Sequence, residues 1–434
     1  MTKNRKFYLA LVIFSLVGQV AWVVENMYLN VFIYKMFSAS AEQISAMVGA
    51  SAAAATITTL LVGALSDKLG KRKIFICGGY ILWGISILSF ALVRVDAVHS
   101  LFFPAMSSTA AATSLCVTLT IALDCLMTFF GSSANDAAFN AWLTDSTDET
   151  NRGKAEGINA MMPLMAILVV FGGFMGLNQD LQESWTVIFC VIGGVVLLLG
   201  VAGFFLIEER TVRSEANAHY FANIFYGFRP KVIRENRTLY IGLLVYALFN
   251  IAIQIYMPYL ILYYTESLKM ANYVLIMAPA ILLAAIFTAI YGRVYDRKGF
   301  RFAVIPAMAL LMTGFVALYL FKNTALVFIG SLLMMGGYLS GMAVFGALIR
   351  DYTPSGKAGM FQGLRICFQV LIPGIIGPAI GAAVLKNAEK VPNSDGTYSF
   401  VPNENIFLAA LIAAAITALA LLPLCKLMKK KTEV

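Results

Sequence analysis

The residues of this sequence that could do chemistry are four ionisable groups inside long apolar stretches: Glu25, Asp124, Asp136 and Arg365. A charged side chain at the centre of a bilayer costs about 2.5–3.5 kcal/mol on insertion scales, so it usually faces a cavity or a partner. A carboxyl group in that place can bind a proton or a metal cation. We therefore predict that Glu25, Asp136 and Asp124 are coupling residues of an ion-driven process.

Uncharged polar residues accompany these carboxyl groups, and the first apolar stretch is the richest in them. At 3.6 residues per turn, Gln19, Trp22 and Asn26 lie on one helical face, with Glu25 at its edge. This pattern favours a substrate site, although amide side chains also serve as structural hydrogen bonds between membrane helices. The predicted substrate-binding residues are Gln19, Trp22, Glu25, Asn26, Asn140, Asn250 and Gln254.

The composition indicates what kind of protein holds these residues. The 434 residues are 60% hydrophobic and only 13% charged, whereas a soluble domain is about 45–50% apolar and about 25% charged. The apolar excess extends over the whole chain, which indicates a polytopic membrane protein with the lipid bilayer as its solvent. The net charge of +9 does not indicate nucleic-acid binding, because the basic residues lie in short loops between apolar segments.

Twelve segments are long and apolar enough to span a bilayer, which needs roughly 20 residues each. We predict an all-α membrane protein with twelve transmembrane helices in two pseudo-symmetric six-helix bundles. The segments are roughly 8–34, 43–65, 74–94, 112–143, 155–178, 184–207, 239–266, 271–292, 302–321, 325–349, 360–386 and 405–427. Residues 97–111 are either a loop or a short interfacial helix.

The basic residues predict the orientation in the membrane. With the N-terminus inside, 25 of the 32 Lys and Arg residues fall on the cytoplasmic side and six on the other. Because cytoplasmic loops carry an excess of Lys and Arg, we expect both termini in the cytoplasm. The expected location is the plasma (inner) membrane.

A polar motif that occurs twice predicts an internal repeat. The second copy follows the first after 229 residues, about half the chain. The two copies are Gly63, Asp67, Gly70 and Arg72, and then Gly292, Asp296, Gly299 and Arg301. We predict an N-terminal bundle at 1–207, a cytoplasmic linker at 208–238 and a C-terminal bundle at 239–434. The same offset makes Gln254 the equivalent of Glu25, and parallel halves with a site between them are typical of transporters.

The first copy of this motif resembles the loop 2–3 signature of the major facilitator superfamily, G-x-x-x-D-[RK]-x-G-[RK]-[RK]. The resemblance implies a transporter working by alternating access, with the motif acting as a cytoplasmic gate. The implied gate residues are Gly63, Asp67, Gly70, Arg72, Asp296 and Arg301. Arg365 is either a gate residue paired with Asp136 or Asp145, or an arginine that snorkels to the membrane interface.

The stretch from Asn135 to Asp145 resembles one family of these transporters, the glycoside–pentoside–hexuronide cation symporters typified by melibiose permease. The resemblance implies that Asp136 binds the coupling cation and that Gln19 lies near the sugar site. The family also carries two carboxylates at positions where this chain has Ala55 and Thr59. A hard metal cation needs several oxygen ligands, whereas a proton needs one carboxylate. We therefore predict proton coupling, through Glu25 or Asp136, rather than sodium coupling.

The sequence shows no nucleotide-binding loop, metal cluster or nucleophile arrangement, and its six cysteines lie far apart. We expect a monomeric secondary transporter rather than an enzyme, without a cofactor. Its substrate is predicted to be a small polar solute, a sugar or glycoside first, moved by proton symport. Two alternatives stay open: a multidrug or metabolite efflux antiporter, and a non-transporting membrane sensor.

Overall fold

The computed structural model describes residues 3–69, 71–105, 108–147, 151–208, 226–270, 272–354, 358–393 and 397–432. Within them, 11 continuous helices are long and apolar enough to cross a membrane. One of these, Val274–Leu320, joins two helices at Gly299, where φ is 77° and the backbone is not helical. Glycine has no Cβ and adopts this φ without strain. The described residues thus contain the twelve spanning helices that the apolar segments predict.

The first six spanning helices are interrupted twice by wider, π-helical turns. Helix α1 runs through Lys3–Val23, a π-helical turn at Val24–Tyr28, and Leu29–Phe37. Helix α4 likewise has a π-helical turn in its second half. The bounds are Ala41–Leu69 for α2, Arg72–Ser89 for α3, Ala110–Gly131, Ser132–Phe139 and Asn140–Asp145 for α4, Arg152–Phe174 for α5 and Gln182–Leu206 for α6.

The second six helices also contain two π-helical turns. Helix α7 ends in a π-helical turn at Tyr263–Ser267, and α11 is interrupted by another at Cys367–Leu371. The bounds are Arg237–Tyr256, Met257–Tyr259 and Leu260–Leu262 for α7, 274–298 for α8, 300–320 for α9, Thr324–Tyr352 for α10, Ala358–Ile366 and Ile372–Leu385 around the interruption of α11, and Asn405–Thr432 for α12. Strands β1, Lys390–Pro392, and β2, Tyr398–Phe400, pair between α11 and α12.

Two connections bear on the sequence predictions. The stretch at 97–111 begins as a helix, Val95–Phe102, with Val98 buried. Short helical pieces at Tyr226–Phe228 and Pro230–Glu235 precede α7. Most of the predicted linker lies outside the described residues, at 209–225.

Packing divides the chain into two units. The first contains the described residues of Met1–Phe221 and Pro392–Ser399, and the second contains those of Ala222–Val391 and Phe400–Val434. Helices α1 to α6 therefore belong to the first unit and α7 to α12 to the second. The predicted boundaries at 207 and 239 stay predictions.

The core of the first unit combines contacts between aromatic rings with close helix contacts. The ring of Phe32 lies 5.3 Å from that of Trp185 and 5.0 Å from that of Phe189, which joins α1 to α6. Helices α3 and α6 approach closely at Gly84 and Gly193, because a Cβ at Gly193 would lie 2.9 Å from the carbonyl oxygen of Gly84. Small residues at such crossings let membrane helices pack backbone against backbone.

Substitution of two neighbouring glycines of α6 by alanine tests this packing. A Cβ at Gly193 would also lie 2.8 Å from Leu88, whereas one at Gly194 would meet no atom within 4 Å. We expect Gly193→Ala to lower the free energy of unfolding by about 1–3 kcal/mol through overpacking. Gly194→Ala is the matched control, and we expect it to be neutral or stabilising, because alanine favours a helix over glycine by about 1 kcal/mol. Thermal unfolding in detergent measures both, and equal melting temperatures would contradict the packing described.

Candidate coupling and substrate site

Glu25 lies in the π-helical turn of α1, where three helices of the first unit meet. Its side chain is 7% exposed. Its Oε1 accepts hydrogen bonds from Ser51 Oγ on α2 at 2.6 Å and from Thr128 Oγ1 on α4 at 2.7 Å. Its Oε2 has no hydrogen-bond partner among the described residues. Single π-helical turns occur frequently at functional sites. This one carries a carboxyl group with one hydrogen-bonded oxygen and one buried oxygen that has no partner among the described residues.

Asp124 is a second buried carboxyl group near Glu25. It lies on α4 one helical turn before Thr128, so both side chains are on the same helical face. Asp124 is 2% exposed, and its Oδ1 has no hydrogen-bond partner in the described part of the chain. The charges of Asp124 and Glu25 interact. The structure therefore brings two of the three predicted coupling residues together.

Asp136, the third predicted coupling residue, lies in the π-helical turn of α4 and is half-buried. Its Oδ2 accepts a hydrogen bond from Ser132 Oγ at 3.0 Å, and its Oδ1 accepts one from Asn135 Nδ2 at 3.4 Å. The Oδ1 of Asn135 is in turn 3.0 Å from the hydroxyl of Tyr80, which donates to it. Unlike the other two carboxyl groups, Asp136 has a side-chain donor on each oxygen, and its charge also acts on Glu25.

The predicted substrate residues of α1 surround the same turn. Trp22 packs on Trp83 of α3, with ring centroids 5.0 Å apart. Asn26 is exposed, and its Nδ2 donates to the carbonyl oxygen of Trp22 at 2.8 Å. Gln19 is half-buried. On α4, Asn140 is exposed and donates to the carbonyl oxygen of Asp136 at 3.1 Å.

In the second unit, the predicted polar residues gather on α7 and α11. Asn250 is buried and donates to the carbonyl oxygen of Tyr246 at 2.9 Å. Gln254 is half-buried, and its Cβ packs against Gly377 of α11. Arg365 Nε donates to Gln369 Oε1 at 3.1 Å, and its charge acts on Tyr246. The roles predicted for these residues stay predictions.

The repeated motif lies at the ends of α2 and α3 in the first unit. Arg72 begins α3 and is only 7% exposed. Its Nε donates to Asp145 Oδ2 at 3.1 Å, and one of its terminal nitrogens donates to Ser66 Oγ at 2.5 Å. The side chain of Asp67 and the whole of Gly70 lie outside the described residues, while Gly63 is half-buried on α2. Arg72 thus ties the start of α3 to the end of α4.

The second copy of the motif differs from the first. Asp296 and Arg301 are both exposed. Asp351, in the last turn of α10 as Asp145 is in the last turn of α4, accepts a hydrogen bond from the hydroxyl of Tyr295 at 2.5 Å. In each unit, the aspartate in the last turn of the fourth helix therefore accepts a hydrogen bond. The donor is an arginine in the first unit and a tyrosine in the second.

Several partners in these networks were not predicted from the sequence, among them Ser51, Thr128 and Asp145 as the partner of Arg72. The stretch from Asp145 resembles the stretch from Asp351 in the other half, and this echo marks Asp145 as part of the repeated unit. Ser51 and Thr128 carry no comparable signal, because hydroxyl residues are frequent in membrane helices and commonly bond their own backbone.

Comparisons with known proteins agree with this architecture. The sequence model of the Major Facilitator Superfamily matches residues 7–378. A search of curated proteins found no match.

Solved structures of transporters share the fold at low sequence identity. A point mutant of the nucleoside transporter NupG has a TM-score of 0.70 at 13% identity, covering 96% of this chain and 99% of that one. A bacterial homologue of the human lysosomal transporter Spinster has a TM-score of 0.70 at 15% identity, covering 98% and 97%. A D-xylose–proton symporter has a TM-score of 0.68 at 14% identity, covering 94% and 97%. At these identities the likeness shows the fold alone.

The Arg72–Asp145 ion pair generates a stability prediction. Both side chains are largely buried, at 8% and 20% exposed, so removal of either breaks an ion pair that is shielded from solvent. In a double-mutant cycle of Arg72→Ala and Asp145→Ala, we expect a coupling free energy of about 0.5–3 kcal/mol. Arg297→Ala, at an exposed position in the repeated motif, is the control and should change stability by less than about 0.5 kcal/mol. Additive effects of the two substitutions would show that the ion pair contributes no coupling free energy to stability.

Proposed function

Because the chain belongs to the Major Facilitator Superfamily, we propose that it is a proton-coupled symporter that imports a small polar solute, a sugar or glycoside first, by alternating access. Family membership makes it a multi-pass membrane protein and a secondary transporter with a small-molecule substrate. The coupling ion and the substrate class are the proposed parts. We further propose a monomer in the plasma membrane, with both termini and the linker at 208–238 in the cytoplasm.

The observation that carries proton coupling is the arrangement around Glu25. Two hydroxyl groups donate to Oε1 of Glu25 directly, at 2.6 and 2.7 Å, and Oε2 has no hydrogen-bond partner among the described residues. One such carboxyl group is sufficient to bind and release a proton, whereas sodium needs several oxygen ligands around a common centre. Ala55 and Thr59 stand where the melibiose permease-like family has carboxylates, which also supports a proton over sodium. Asp136 and Asp124 are the further proposed coupling residues.

The proposed substrate surface combines aromatic rings with amide groups. Trp22, whose ring packs at a tilt on that of Trp83, offers a flat apolar face, and the exposed Asn26 and Asn140 offer hydrogen-bonding groups within the same unit. Sugars present apolar ring faces and many hydroxyl groups, so this combination suits them. Gln19 on α1 and Asn250 and Gln254 on α7 complete the proposed set. The fold relatives include a nucleoside transporter and a D-xylose–proton symporter, whose names show that this fold can carry polar solutes.

The repeated motif is the proposed cytoplasmic gate. Transport by alternating access requires contacts that exist in one state and break in the other. The buried pair of Arg72 with Asp145 fixes the ends of α3 and α4 and can serve in this way. Asp67, Gly63 and Gly70 in the first copy, Asp296 and Arg301 in the second, and Arg365 on α11 are the further proposed members.

Uptake into proteoliposomes tests the proposed function. We expect an inward proton gradient to drive accumulation of a labelled sugar from a panel that also contains cationic dyes, and an uncoupler to abolish it. Glu25→Gln should reduce gradient-driven accumulation by about 10-fold or more, since the amide cannot exchange a proton, while exchange of labelled for unlabelled sugar persists. Glu42→Gln, at an exposed position on α2, is the control and should behave like the unchanged protein.

Two results would contradict the proposal. Uptake that sodium stimulates and an uncoupler leaves unchanged would rule out proton coupling. Flux of the cationic dyes without flux of any sugar would overturn the substrate class and favour the efflux alternative.

A further inference from the structure

We propose that Glu25 and Asp124 form a carboxyl pair that shares one transported proton, with Ser51 and Thr128 as positioning residues that direct the proton to Oε2 of Glu25. The inference rests on the proposed proton coupling and adds to it the atoms of the proton site. The pair joins two carboxyl groups of the first unit, each nine-tenths or more buried and each with an oxygen that lacks a partner among the described residues.

The hydroxyl groups decide which oxygen of Glu25 carries the proton. Each hydroxyl has one proton to donate, and both Ser51 Oγ and Thr128 Oγ1 lie within hydrogen-bond distance of Oε1. When both donate, Oε1 accepts two hydrogen bonds and the added proton binds at Oε2. The two hydroxyl oxygens are also 2.9 Å from each other. One hydroxyl can therefore turn to the other once Glu25 is neutral, so the same three side chains satisfy both charge states.

Asp124 is placed to be the second member of the pair. It shares the face of α4 that carries Thr128, one turn away, and its charge interacts with that of Glu25. Neither carboxyl group forms a salt bridge within the described residues. Two buried carboxylates that share a site do not both ionise readily, so one of them keeps a proton. The pair therefore holds a single negative charge and a single exchangeable proton.

The other titratable groups around the pair lie mostly on α4. Asp136 acts on Glu25 through its charge, and the thiol of Cys125 interacts with both carboxyl groups. Tyr80 of α3 interacts with Asp136 rather than with the pair. Because side chains of its own π-helical turn donate to both oxygens of Asp136, Asp136 lacks the unpartnered oxygen that each member of the pair has, and we do not include it in the pair.

Infrared difference spectroscopy of the purified protein in lipid tests the pair without substrate or gradient. The C=O band of a protonated carboxyl group should disappear with rising pH, and the contribution of the pair to this band should be absent in the Glu25→Gln, Asp124→Asn double variant. The midpoint is the pH at which half of the contribution of Glu25 has disappeared. Asp124→Asn removes the competing charge, so the midpoint for Glu25 should fall by about 1 pH unit or more. Thr128→Val and Ser51→Ala each remove a donor to the charged form, so the midpoint should rise.

Matched variants separate positioning from a merely structural role. Thr128→Ser keeps the hydroxyl group and should restore the original midpoint. Thr120→Val removes a buried hydroxyl of the same helix that donates to the backbone oxygen of Cys116, and it should leave the midpoint unchanged. A Thr128→Val midpoint that coincides with that of Thr120→Val would overturn the positioning role, and an Asp124→Asn midpoint that does not move would overturn the pair.

The outcome for the pair is distinguishable from that for the proposed function. If the midpoints move as stated but uptake is not driven by protons, the pair stands as a proton site and the proposed symport fails. If uptake is driven by protons but neither midpoint moves, the symport stands and the pair is refuted.

Discussion

The cost of a carboxyl group inside a bilayer is the constraint on which the first unit depends. Glu25 can remain there only with donors for its charged form or a proton of its own. Ser51 and Thr128 supply the donors from α2 and α4, so the same contacts that make the charge tolerable also fix three helices around it. The π-helical turn of α1 serves this end, since the extra residue in the turn changes the direction in which side chains leave the helix. A second such turn in α4 presents Asp136.

A different electrostatic contact organises the other end of this unit. Arg72 and Asp145 are largely buried where α3 begins and α4 ends, and Ser66 provides the guanidinium with a further acceptor. Breaking a buried ion pair is costly because it leaves an unpaired charge, so such a pair favours one of two discrete arrangements rather than a continuum. The repeat does not copy this contact, since Asp351 receives a tyrosine hydroxyl. The two halves thus share a fold while the contacts of these two aspartates differ in chemistry.

The sequence predicts the fold of this protein better than the contacts of its site. Apolar length and the repeated motif are sufficient for twelve helices, because hydrocarbon forces every spanning backbone into a helix. Glu25 is recognisable because a carboxyl group is rare in such a segment. Its partners are not, because Thr56 and Thr120 bond their own helix backbone while Thr128 reaches across to α1, and residue type does not distinguish them. The π-helical turns were not predicted from the sequence either.

The central claim is that Glu25 carries a proton together with the solute, and proton movement upon addition of solute tests it most directly. Proteoliposomes in weak buffer, with no imposed gradient, would be mixed with a transported sugar while the external pH is recorded. Our account predicts that the external medium becomes more alkaline as solute and protons enter together. It also predicts that the Glu25→Gln protein produces no pH change. Entry of the solute without proton movement, or an undiminished pH change in the variant, would contradict the claim.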